Sequence, residues 1–116
     1  MPTTSLTFED VLPRIAEKGV GRDLDSHVEL LIDPSSGQQA GLLVESIFER
    51  VVVAKHDQHE LSLENVSRMR QMIVRARARR GLLCVPIDAM ISNPVMLLAT
   101  LSRIEIVRLG GDQAGV

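Results

Sequence analysis

Three groups of residues in this sequence have side chains able to do chemistry. The first is Asp33-Pro34-Ser35-Ser36-Gly37, taken with Lys55-His56-Asp57 and with Asp88. Ser-Ser-Gly ahead of a helix would turn backbone N–H groups toward an anion, and Lys55 would add positive charge. Asp33 and Asp57 would repel a phosphate unless a metal stood between them. The spacing matches neither a P-loop nor a dinucleotide-binding loop. The same residues are also turn formers and helix caps. The expected ligand-binding set is therefore Asp33, Ser35, Ser36, Gly37, Lys55, His56, Asp57 and Asp88.

The second group is His56-Asp57-Gln58-His59-Glu60. Two imidazoles three residues apart, with carboxylates beside them, can share a metal. A distant second ligand set is missing, and His27 begins a strand at the far end of a parallel sheet. No metal and no cofactor is expected. Cys84 falls mid-strand, where a thiol is buried and inert. Ser35 and Ser36 have no histidine base near them in sequence, and no carboxylate pair stands at a short fixed spacing. These points lean away from an enzyme.

The third group is a run of arginines. Arg68, Arg70, Arg75, Arg77, Arg79 and Arg80 fall within thirteen residues that contain no acid. On a helix turning about 100° per residue, Val66, Met69, Met72, Ile73 and Ala76 form one apolar stripe. Arg68, Arg75 and Arg79 flank it on one side, Arg70 and Arg77 on the other. Such rails suit an acidic protein surface or a phosphate backbone. They also suit arginine stems that cover the rim of a sheet and pair with acids elsewhere in the chain. Farther on, Val95-Met96-Leu97-Leu98-Ala99 is apolar on every side, which points to an interface. The expected interface residues are Arg68, Arg75, Arg79, Val95, Met96 and Leu98, in a homo-oligomer.

The elements that would hold these groups follow from periodicity. Phe8, Val11, Leu12, Ile15 and Ala16 share a helical face. His27–Ile32 alternates as a strand. Ala40, Leu43, Val44, Ile47, Phe48 and Val51 keep helical spacing and predict a helix to Glu49, with a hairpin strand as the rival. Val51–Ala54 and Leu82–Val85 are wholly apolar, as strands covered on both faces are. Between them a helix capped near Ser62 runs to Arg80. Asn93-Pro94 opens a short helix with Asn93 at the N-cap and proline at the first helical position, and Ile104–Leu109 is a last strand. The fold class expected is α/β in a single domain spanning 1–109. An N-terminal helix precedes β-α-β-α-β-α-β around a mostly parallel four-stranded sheet, and 110–116 forms a tail.

Composition narrows the partners. The chain has 116 residues, 45% hydrophobic and 24% charged, with Phe8 and Phe48 as its only aromatics. Base-stacking surfaces are thus scarce. The net charge of −2 gives no bulk attraction to polyanions, but the charge is uneven. Residues 1–64 hold twelve acids and five bases, and residues 65–116 three acids and eight bases. No apolar run is long enough for a membrane span, no signal peptide is visible, and the lone cysteine fits a reducing compartment. A soluble, cytoplasmic protein is expected.

From Val51 to Leu109 the order of elements resembles the later part of STAS domains. The shared features are an apolar strand, a long helix ending Arg-Ala-Arg-Ala-Arg-Arg-Gly, a strand, a short helix and a final hydrophobic segment. That resemblance implies a regulatory phosphoserine in an Asp-Ser pair before the long helix. Here the region reads His59-Glu60-Leu61-Ser62-Leu63-Glu64, without the pair. If residues 39–48 were a strand, the order α-β-β-β-α-β would resemble restriction-endonuclease-like cores. Asp33 and Glu45 would then be metal carboxylates, although Glu45-Ser46-Ile47 stands where Glu-x-Lys is required.

The function these readings favour is a small non-catalytic interaction or regulatory module, homodimeric, with an acidic protein as partner. The alternatives are a phosphate- or nucleotide-binding domain at the strand-end loops, nucleic-acid binding through 66–80, and a STAS-like regulator.

Overall fold

A computed structural model of the chain describes residues 27–34, 36–47 and 49–109. The expected N-terminal helix, Ser35 and the 110–116 tail lie outside the described residues. The chain order is β1 (His27–Ile32), β2 (Gln39–Glu45), β3 (Arg50–Lys55), β4 (Glu60–Leu61), α1 (Leu63–Arg75), β5 (Arg80–Pro86), β6 (Met90–Ile91), α2 (Asn93–Leu101) and β7 (Ile104–Leu109).

The sheet corrects the expected fold class. Among the described residues it has five strands in the order β1-β2-β3-β5-β7 and is mixed. β1–β2 and β2–β3 pair antiparallel, and β3–β5 and β5–β7 parallel. The expected helix over 40–49 is instead β2 and the turn after it. Gly41, Leu42, Leu43 and Val44 are all buried in succession. In a strand, Leu43 faces one sheet surface while Leu42 and Val44 face the other. A helix built on the 40-43-44-47 stripe would leave Leu42 outside, forfeiting about 2 kcal/mol of burial. Ile47, a member of that stripe, is 76% exposed. Asp33–Gly37 is accordingly a hairpin loop and not a helix cap, with Gly37 at φ 72°. Ser46 N–H donates to Glu49 O at 2.9 Å to close the next turn.

The parallel half follows its local signals more closely. The apolar strands β3 and β5 lie inside the sheet, and the charged strands β1 and β7 form its edges. Ser62 caps α1: its Oγ accepts from Asn65 N–H at 3.2 Å while Asn65 Oδ1 accepts from Ser62 N–H at 2.9 Å. Pro94 sits in the first turn of α2, whose N-cap is Ser92 and not the expected Asn93, which is already helical. The expected run of α1 to Arg80 is too long, since the helix ends at Arg75. Arg77 N–H donates to Val74 O and Ala78 N–H to Ile73 O, the paired bonds of a Schellman ending. The chain must turn back there for Arg80 to begin β5.

Both helices pack on one face of the sheet, where Val66, Met69, Ile73, Val95 and Ala99 meet Leu43, Val52, Leu83 and Val85. The opposite face is a second buried cluster of Leu42, Val44, Val51, Val53, Leu82, Cys84, Val107 and Leu109. β4 and β6 form a separate two-stranded parallel sheet beyond the strand ends. Among the described residues no helix is long and apolar enough to cross a membrane.

Candidate functional site

The sheet has two ends of different chemistry. At the first lie the carboxyl ends of β1, β3, β5 and β7, because β1 and β3 both run antiparallel to β2. Most of the sequence-predicted ligand residues gather here, and each has a local task. Ser36 Oγ donates to Asp33 Oδ2 at 3.3 Å, and Gly37 N–H donates to the Asp33 carbonyl at 2.7 Å. A strand follows the loop, so its N–H groups form no helix N-terminus. Lys55 Nζ lies 3.8 Å from Asp57 Oδ2. His56 Nε2 is 2.7 Å from the Glu60 carbonyl, whereas His59 Nδ1 is 3.4 Å from Asp88 Oδ2. The two imidazoles thus turn to different partners. Arg108 Nη1 donates to the carbonyls of Ile87 and Ala89, at 3.1 and 2.8 Å, which ties β7 to the β5–β6 loop. No group of three or more metal-binding side chains forms among the described residues.

The carboxylates of the nuclease-like order are also separated. The strand condition for that order is met by β2, but His27 is the register partner of Glu45, and Ile32 that of Gln39. Asp33 and Glu45 therefore stand at opposite ends of the hairpin, and Glu45 pairs with Arg50 at 3.5 Å. Cys84 is fully buried in the second cluster, out of reach of any substrate.

The opposite end is built from the carboxyl ends of α1 and α2 and the starts of β5 and β7. Both helices finish the same way. Ala76 and Ser102 are the C-caps, and the residues after them, Arg77 and Arg103, hold φ of 54° and 60°. That left-handed position normally takes glycine, and a side chain there costs about 1 kcal/mol. Neighbouring strands fix the backbone around them: Arg79 N–H donates to Arg50 O at 2.8 Å, and Gly81 N–H donates to Arg103 O at 3.0 Å. An open cleft of about 360 Å³ lies between, lined by Arg79, Arg80, Gly81, Thr100, Arg103, Ile104 and Glu105.

The charges at this end are only partly answered. Arg80 grips Glu49 with Nε and Nη2, at 3.2 and 3.0 Å. The hydrogen bonds from Arg80 hold the Glu49 carboxyl below the usual range against the opposing effect of burial, and Arg79 adds to the lowering. Arg75, Arg77, Arg79 and Arg103 are exposed, and none has an ion-pair partner among the described residues. Beside them stand two outward apolar residues from the last helical turns, Val74, 70% exposed, and Leu101, 73% exposed.

The sequence-predicted interface divides. Arg75 and Arg79 belong to this end, although Arg79 lies beyond the helix that was to carry it. Arg68 is held by Glu64 one turn back. Val95 is in the core, Leu98 packs half-buried against it, and Met96 is partly exposed. Leu97 and Leu101, 60% and 73% exposed, are the large apolar residues of α2 that face outward most. Leu97 was legible, since it sits about 200° around the helix from Val95. Arg77 was visible in the arginine run but its left-handed backbone was not, and Arg103 was not, because a helix end without glycine gives no signal for a left-handed residue. Comparison of the chain with family models, with curated proteins and with solved structures finds no match.

Proposed function

We propose that this chain is a non-catalytic protein-interaction module that meets an acidic, partly apolar surface of a partner protein at the helix-carboxyl end of its sheet. One observation carries the reading: Arg75, Arg77, Arg79 and Arg103 stand unpaired among the described residues, with Val74 and Leu101 exposed beside them. Arginine and exposed apolar side chains together have the composition of a protein interface. Guanidinium groups give paired donors for carboxylates, and the apolar residues supply burial that a phosphate backbone could not use. A catalytic reading has no support from the other end, where side chains serve turns and strand ends. Aromatic platforms for single-stranded nucleic acid are missing from a chain with two phenylalanines and neither tryptophan nor tyrosine.

The test is fluorescence anisotropy with three labelled probes: a peptide alternating glutamate and leucine, polyglutamate, and a duplex DNA. The glutamate–leucine peptide is expected to bind more tightly than polyglutamate, with affinity falling as salt rises. Binding of duplex DNA alone would replace this reading with a nucleic-acid one. Failure of all three at low salt would remove both.

A further inference from the structure

β1 is an edge strand. β2 occupies one of its sides, and among the described residues no strand pairs with the other. Its alternating residues Val28, Leu30 and Ile32 share one face. The register sets Val28 beside Val44 and Leu30 beside Leu42, so this face continues the second buried cluster. Val44 and Leu42 are 3% and 5% exposed, yet Val28, Leu30 and Ile32 are 50%, 58% and 52% exposed. The apolar layer therefore reaches the edge of the sheet, and among the described residues nothing covers it there. At the other edge, β7 carries Glu105 and Arg108, charges of the kind that discourage further strand pairing.

We infer that β1 pairs antiparallel with β1 of a second copy of this chain, about a two-fold axis through Leu30. A two-fold axis normal to the sheet joins like faces, so the apolar face of one copy runs into that of the other. Side chains alternate along a strand, so only registers centred on a residue preserve this continuity. Centring on Glu29 would set the two Glu29 carboxylates against each other. Centring on Leu31 would set Glu29 opposite Asp33, again acid against acid. Centring on Leu30 opposes Leu30 to Leu30, Val28 to Ile32 and Glu29 to Leu31. It also places His27 opposite Asp33, an imidazole N–H donor against a carboxylate acceptor. The strand is thus self-complementary in one register and self-repelling in its two neighbours. This surface is distinct from the arginine end, and the two proposals fail independently.

Light scattering after gel filtration tests the pairing on the full chain at micromolar concentration. The expected mass is twice that of one chain. Leu30→Lys is expected to give a monomer with an unchanged far-ultraviolet circular dichroism spectrum, and Leu97→Lys to remain a dimer. A monomeric parent protein, a dimer that survives Leu30→Lys, or a dimer lost in Leu97→Lys would overturn the inference. A second variant covers the case in which Leu30→Lys fails to fold. Directly opposed residues of antiparallel strands lie about 4.5–5.5 Å apart at Cα, within reach of a disulfide. Mild oxidation of Leu30→Cys should therefore give a covalent dimer that reductant reverses. The buried Cys84 leaves the parent protein as a clean control. No crosslink in Leu30→Cys, or an equal crosslink in Leu97→Cys, would exclude pairing about Leu30.

Discussion

The antiparallel half of the sheet, β1 to β3, and the parallel half, β3 to β7, share a core but expose different things. The parallel half needs a crossover helix between each pair of strands, and those helices bring their carboxyl ends to one end of the sheet. Arginines and apolar side chains collect there. The antiparallel half needs only tight turns, so it leaves no helix ends. Among the described residues, what it leaves open is the outer edge of β1. Connectivity thus decides what each half can offer a partner: side chains on helix ends in one, a strand edge in the other.

The sharpest way to separate the halves is to add a methyl group to a buried glycine of each. A Cβ on Gly41, in β2, would lie 2.7 Å from the backbone oxygen of Val53, which the sheet holds in place. Gly41→Ala is expected to cost about 2–3 kcal/mol in urea unfolding. A Cβ on Gly81, in β5, would lie 2.6 Å from Met69 Cε and 2.7 Å from Ile73 Cδ1, the ends of two buried side chains and not backbone. Gly81→Ala should cost less, about 1–2 kcal/mol, because side-chain ends can shift where a sheet backbone cannot. Equal costs would show that the parallel half is packed as rigidly as the hairpin.

Next in size is the link between the halves. Glu49 lies in the β2–β3 turn and Arg80 opens β5, so their paired hydrogen bonds join the two. Glu49→Gln is expected to lower stability by about 1 kcal/mol, the pair being partly exposed. Its pH dependence has a definite sign. The folded-state pKa of Glu49 is lowered, so its contribution is complete above the unfolded carboxylate value and is lost as pH falls through the folded value. In acid titration of stability, Glu49→Gln should flatten that limb. An unchanged limb would show that the pair does not couple the halves.

The smallest expected effect on stability concerns the left-handed arginines. Arg77→Gly and Arg103→Gly remove a strained side chain and should be neutral or stabilising by up to about 1 kcal/mol. Both should weaken binding of the glutamate–leucine peptide. Loss of stability instead would mean that these arginines serve the fold and not a partner.

The two halves also differed in how legible they were. β3 and β5 could be read because runs such as Val51–Ala54 and Leu82–Val85 have no polar residue to expose. Ser62 and Pro94 could be read because capping and first-turn chemistry act over a few residues. β2 could not. Its hydrophobic residues satisfy a period of 3.6 as well as burial on both faces, and only pairing with β1 and β3 decides between them. β4 and β6 are two residues long, set by the chain ends they join and not by propensity. At the candidate site, Arg75 and Arg79 were visible in the arginine run, whereas Arg103 joins them only through the parallel alignment of β5 and β7.

On the reading proposed above, partner binding belongs to the helix-carboxyl end and not to the strand-carboxyl end. Anisotropy of the glutamate–leucine peptide, measured against the parent chain, the Arg79→Glu/Arg103→Glu double variant and Lys55→Glu, tests it directly. Reversing two guanidinium groups that have no ion-pair partner among the described residues should weaken binding by about tenfold or more, while Lys55→Glu leaves it within about twofold. Binding that survives the double reversal, or that Lys55→Glu abolishes, would contradict the assignment.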